Sequence, residues 1–153
     1  MYDVTAWWWI SAVWAACVCI FAILCGGRAE RWVAIIILIG WYTQPIFHDR
    51  HHPKMPEIGI VVSDVIALVL FMLISFQYRK IWTLFLSASQ LNGVVAHLVA
   101  MTHLHVPVIG YLGLNWIWTG HALLLALLVG TIQSIRGRNR AASPQQIVPK
   151  QAA

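Results

Sequence analysis

The sequence predicts an all-α, polytopic membrane protein: a bundle of five transmembrane helices. Three observations predict it. Of 153 residues, 60% are hydrophobic and 10% are charged, with a mean hydropathy of +0.74, whereas a soluble domain runs near 45–50% apolar and about 25% charged. The apolar residues fall into five runs, each approaching the roughly 20 residues that a helix needs to cross a hydrocarbon core about 30 Å thick. None of these runs shows the two-residue alternation of a membrane barrel strand, so the backbone must satisfy its own hydrogen bonds as helix. The same composition excludes disorder over most of the chain. It also excludes a secreted disulfide scaffold, because Cys17, Cys19 and Cys25 share one apolar run.

The first span, residues 6–25, carries a single hydroxyl, Ser11, and ends at Gly26-Gly27-Arg28. Residues 1–5 contain Asp3 and neither Lys nor Arg, so this segment is expected to be a mature helix and not a signal peptide. The second span, residues 32–47, has Gln44 and Pro45 near its far end; its 16 residues rise only about 24 Å, and local thinning or neighbouring helices must cover the difference. The alternative is a four-crossing chain with a re-entrant second segment. The third span, residues 58–76, holds one charge, Asp64. The fourth, residues 81–101, holds Gln90, Asn92 and His97, and the fifth, residues 112–132, holds Asn115 and His121. Residues 1–134 therefore form one transmembrane domain. Residues 135–153 carry Arg136, Arg138 and Arg140, then Ser143-Pro144-Gln145-Gln146, and are expected to be a basic, disordered tail.

Five crossings distribute the loops on alternate sides. One side receives Arg28, Arg31, Arg79, Lys80, Arg136, Arg138, Arg140 and Lys150, the other only Arg50 and Lys54. The basic side belongs in the cytoplasm, which puts the N-terminus outside and the C-terminus inside a plasma or bacterial inner membrane. Anionic lipid headgroups then account for the pI of about 9.5, and no nucleic-acid partner is implied, since no aromatic residues interleave with these arginines. Trp7, Trp8 and Trp9 read as an outer interfacial belt, with Trp32 and Trp82 on the inner side.

This topology gathers all seven histidines into the outer half of the membrane or just beyond it. His48, His51 and His52 follow the second span, and His103 and His105 follow the fourth. From the helical rise, His97 lies about 9 Å and Asp64 about 4–5 Å outward of the midplane, with His121 within about 2 Å of it. Gln44 lies near the outer end. On the fourth span Thr83, Ser87, Gln90, His97 and Met101 fall within roughly 80° of one another, a polar stripe that faces protein rather than lipid. Asp64 cannot face lipid either, and its expected partner is His97 or His121. Gly93, Gly120 and Gly130 read as points of close helix contact, and Cys17 and Cys19 as residues on different faces.

The leading functional reading is a non-catalytic accessory or scaffold subunit, in a larger membrane complex or homo-oligomer, whose helices pack around Gln44, Asp64, Gln90, His97 and His121, while the loop histidines of the wider polar cluster, His103 and His105 among them, tolerate an interfacial position. A second reading is a haem b or transition-metal site, with His97 and His121 as cofactor ligands and Asp64 and His48 completing a metal set. Others are a proton- or ion-conducting subunit, in which an Asp and two His relay protons, or an enzyme or binder for a lipophilic small molecule. The sequence contains no phosphate-cradling Gly loop, Gly-x-Ser-x-Gly, His-Glu-x-x-His or Cys-x-x-Cys.

Overall fold

A computed structural model describes residues 4–47, 58–102 and 108–142. All secondary structure among them is helical: α1 (Val4–Cys25), α2 (Arg28–Phe47), α3 (Ile58–Tyr78), α4 (Ile81–Met101), α5 (Val108–Asn115), a π-helical stretch (Trp116–Ala122) and α6 (Leu123–Ala142). Asn115 and Leu123 both hold right-handed helical dihedrals, so α5, the π stretch and α6 form one continuous rod. Three segments are long and apolar enough to cross a membrane: Ile58–Tyr78, Ile81–Met101 and Trp116–Ala142. Among the described residues α1 contributes a shorter apolar stretch, Trp9–Cys25. The second helix begins four residues before the expected span, and its opening turn, with Arg28, Glu30 and Arg31, is charged.

Two tight turns close one end of the bundle. At Gly26 the N–H donates to the Ala22 carbonyl at 2.8 Å. A Cβ on Gly26 would sit 2.3 Å from that oxygen and 2.6 Å from Glu30 Cβ, so only glycine lets the chain reverse here. Between α3 and α4 the reversal takes two residues. Arg79 adopts a left-handed φ of 48°, and its N–H donates to the Ser75 carbonyl at 2.9 Å, closing the end of α3. Thr83 then donates from its hydroxyl to the Lys80 carbonyl at 2.6 Å, closing the first turn of α4.

Packing follows a ring. α1 lies against α2, α2 against α3, α3 against α4, α4 against α6, and α6 returns to α1. The apolar core occupies the half of the bundle nearer the two turns, and includes Cys19, Val33, Phe71, Leu86, Leu124 and Leu127. Cys17 is exposed where Cys19 is buried, consistent with different faces of one helix. Glycines set the closest approaches. A Cβ on Gly130 would meet the Trp82 indole at 2.5 Å, and one on Gly93 would meet Thr119 Cγ2 at 1.9 Å.

Two expectations are corrected here. Trp82 is not an interfacial belt residue: it is 4% exposed, laid over Gly130, whereas Trp32 is 57% exposed. The basic tail does not start disordered at residue 135, because α6 runs on to Ala142. Arg140 in its last turn complements the helix dipole, and the Arg138 guanidinium donates to the Cys25 carbonyl at the end of α1. A Gly93→Ala variant is expected to force α4 away from the π stretch, losing about 1–3 kcal/mol. Thermal or SDS unfolding in detergent micelles measures this.

Candidate functional site

The site begins with spacing on α3. Val61, Asp64, Phe71, Ile74 and Ser75 are its buried residues, a single inward stripe on which Asp64 is the only ionisable group. The two-residue turn folds α4 back antiparallel, so that its own buried stripe, including Thr83, Leu86, Gln90, Gly93 and His97, meets that of α3. Asp64 and His97, 33 residues apart in sequence, face each other with Nε2 and Oδ2 at 2.8 Å. Gln90, two turns below His97 on the same face, donates from Nε2 to the Asp64 backbone carbonyl at 3.3 Å.

The other imidazole nitrogen is also engaged. The Tyr111 hydroxyl, from α5, lies 2.5 Å from His97 Nδ1, and the two rings meet edge to face at 71°, with centroids 5.6 Å apart. An ionised Asp64 takes a hydrogen bond from Nε2–H, which leaves Nδ1 as the acceptor for the Tyr111 hydroxyl. The result is a carboxylate–imidazole–phenol chain drawn from three helices. His97 is 1% and Asp64 7% exposed. In so apolar a setting each member depends on the next for its hydrogen bonds.

Of the predicted stripe, Thr83 and Gln90 are buried with His97, Ser87 is half-buried, and Met101 is exposed, so the stripe ends at His97. Thr83 and Ser75 hydroxyls meet at 3.3 Å, and Ser87 donates to the Thr83 carbonyl at 3.0 Å. His121 sits elsewhere. Its Nδ1 is 3.2 Å from the Trp116 carbonyl, five residues back in the π stretch, and its ring stands edge-on to the Trp116 indole. It makes no hydrogen bond to Asp64 or His97 among the described residues. His48, His103 and His105 lie outside the described residues, as does the side chain of Gln44.

Sequence reasoning missed two members. Tyr111 precedes the fifth span as counted, and only the start of α5 at Val108 makes it helical and inward-facing. The other is Glu30, read past between Arg28 and Arg31. Its side chain is 0% exposed and its Oε1 accepts from Lys80 Nζ at 2.6 Å. Its Oε2 has no hydrogen-bond partner among the described residues, and a Cβ on Gly27 would lie 2.9 Å from it and 3.3 Å from the Ser134 hydroxyl. An acidic residue in the first turn of α2 was the available signal, since it suits a helix N-terminus.

Comparison of the chain with protein-family models, curated proteins and solved structures gives no match.

The donor set does not suit the expected haem or metal. A metal ligand needs a free ring nitrogen, and His97 can offer one only by giving up Asp64 or Tyr111. Among the described residues no group of three or more His, Cys, Asp or Glu side chains is placed to hold an ion. The arrangement suits hydrogen bonding and proton exchange along the chain. Asp64→Ala is expected to cost about 3–5 kcal/mol by stranding His97, and Tyr111→Phe about 0.5–1.5 kcal/mol. Unfolding in mixed micelles measures both, and the Asp64→Ala/His97→Ala pair should recover part of the loss.

Proposed function

We propose that this chain is a non-catalytic integral membrane protein, an accessory or scaffold subunit whose buried polar groups fasten its helices together. All five spans cross the bilayer of a plasma or bacterial inner membrane, with the N-terminus outside and the C-terminus cytoplasmic. The end bearing the Gly26–Gly27 and Arg79–Lys80 turns faces the cytoplasm, where its arginines meet anionic headgroups. The observation that carries this reading is the closure of the polar chain on itself. Both His97 nitrogens end on side chains from other helices, so the cluster acts as a three-helix clasp. Such interhelical bonds contribute about 0.6–2 kcal/mol each.

The outer surface supports the same reading. Leu24 on α1, Ile58 and Phe76 on α3, and Ile81 at the head of α4 are among the large apolar side chains turned outward. A continuous apolar exterior of this kind suits lipid, a larger membrane complex or a second copy of the chain, and not water.

Reporter fusions test the topology: an alkaline phosphatase at the N-terminus and a fluorescent protein at the C-terminus should both be active. Both ends reporting from one compartment would overturn the five-crossing arrangement. The clasp is tested by His97→Gln, which retains hydrogen-bonding capacity and is expected to insert normally with only a modest loss of stability. Purified protein with a haem Soret band that disappears in His97→Gln would replace this reading with the cofactor one.

A further inference from the structure

Two acid–base pairs, each with a buried carboxyl, lie at opposite ends of the same helix. Asp64–His97, extended by Tyr111, is near one end of α4, and Glu30–Lys80 is at the other. Lys80 and His97 are 17 residues apart, an axial rise of about 25 Å, against a hydrocarbon thickness of about 30 Å. Between them the seam of α3 and α4 carries Ser75, Thr83 and Gln90, with Ser87 hydrogen-bonded to the Thr83 carbonyl beside it. At its inner end Glu30 Oε2 is buried with unused hydrogen-bonding capacity, having no partner among the described residues. Clasps alone need neither ionisable groups at both ends nor hydroxyls in between.

We propose that the buried face of α4 is a proton path across the membrane, with Tyr111–His97–Asp64 as its outer station and Glu30–Lys80 as its inner one. The inference rests on the membrane-crossing arrangement proposed above and goes beyond the clasp. At the outer station the chemistry balances. The Tyr111 oxygen receives an external proton as its own hydroxyl proton moves to His97 Nδ1, giving an imidazolium. The Nε2 proton then passes to Asp64 Oδ2. One proton has entered at the phenol, one has arrived at the carboxylate, and His97 is left as the other neutral tautomer; the first is restored when Nδ1 gives a proton to water and Nε2 takes one from water.

Inward of Asp64 the proton travels along the seam hydroxyls, with water between them, to the free oxygen of Glu30. The apolar pair Phe71 and Leu86, both almost wholly buried, lies between the Asp64–Gln90 level and the Ser75–Thr83 level and sets the barrier. Among the described residues the charged and titratable groups facing each station are few. Asp64 meets His97 from α4 and Tyr111 from α5. Glu30 meets Lys80 from the head of α4, while the nearby Arg138 is directed at the Cys25 carbonyl.

The test uses the full chain in phosphatidylethanolamine–phosphatidylglycerol vesicles that enclose a pH-sensitive dye, with a potassium gradient and valinomycin supplying the driving potential. Wild type is expected to pass protons faster than protein-free vesicles. Asp64→Asn, His97→Gln and Glu30→Gln should fall to the protein-free rate, and Phe71→Ala should exceed wild type. His97→Gln decides between clasp and path, because a glutamine keeps the hydrogen bond but cannot exchange a proton. Protease protection of the same vesicles reports insertion. Inserted wild type that passes protons no faster than empty vesicles overturns the path alone, as does a His97→Gln variant that conducts like wild type. A chain that fails to insert overturns the path and the membrane reading together.

Discussion

An ionisable carboxyl on an otherwise apolar helix imposes the main constraint on this structure. Asp64 cannot be left bare in a medium of low dielectric, and no group on its own helix is placed to serve it. His97 must therefore come to it from α4, and this fixes the register of the α3–α4 hairpin. The second nitrogen of His97 then needs a partner of its own, and Tyr111 supplies it from α5. One buried carboxyl thus orders three helices in sequence. The two-residue turn at Arg79 and Lys80 makes the register possible, at the expense of a left-handed arginine.

The opposite end solves the same problem with different means. Glu30 starts α2 inside the bundle, where the helix dipole favours a negative group, and Lys80 reaches it from the turn that sets the α3–α4 register. The two ends are coupled through this short turn, since moving Lys80 would shift every position of α4 up to His97. Between them the packing relies on missing side chains as much as on present ones. Trp82 lies over Gly130 and Thr119 lies over Gly93, so α4 meets the α5–α6 rod as closely as backbone allows.

Much of this was legible in the amino-acid sequence, because the membrane simplifies the reading. Apolar runs placed the first four helices within a few residues of their observed bounds, whereas the last runs ten residues past its expected end, to Ala142. Burying an acid demanded a partner, and His97 was one of the two named. What escaped has physical reasons. Tyr111 follows a Pro and lies among glycines, which blurred the start of its helix. His121 was placed by depth alone, from the helical rise, which does not say which face it takes, and the π stretch sets that face. Trp82 was assigned by depth alone, although a glycine on a facing helix gave it somewhere to pack. Glu30 was hidden by the charge-counting that set orientation, which weighs Lys and Arg and passes over acids.

The π stretch also changes how the rod spends its residues. Tyr111, Thr119 and Gly130 all address α4, yet in a uniform α-helix Tyr111 and Thr119 would be out of line by about 80°. Widening the helix over Trp116–Ala122 takes up that angle, as though one surplus residue were held in reserve. A chain shortened by one residue within this stretch can therefore relax to ordinary α geometry and still aim its phenol at His97. Lengthening the rod between Tyr111 and the stretch has no such slack to draw on, and swings the hydroxyl off the seam.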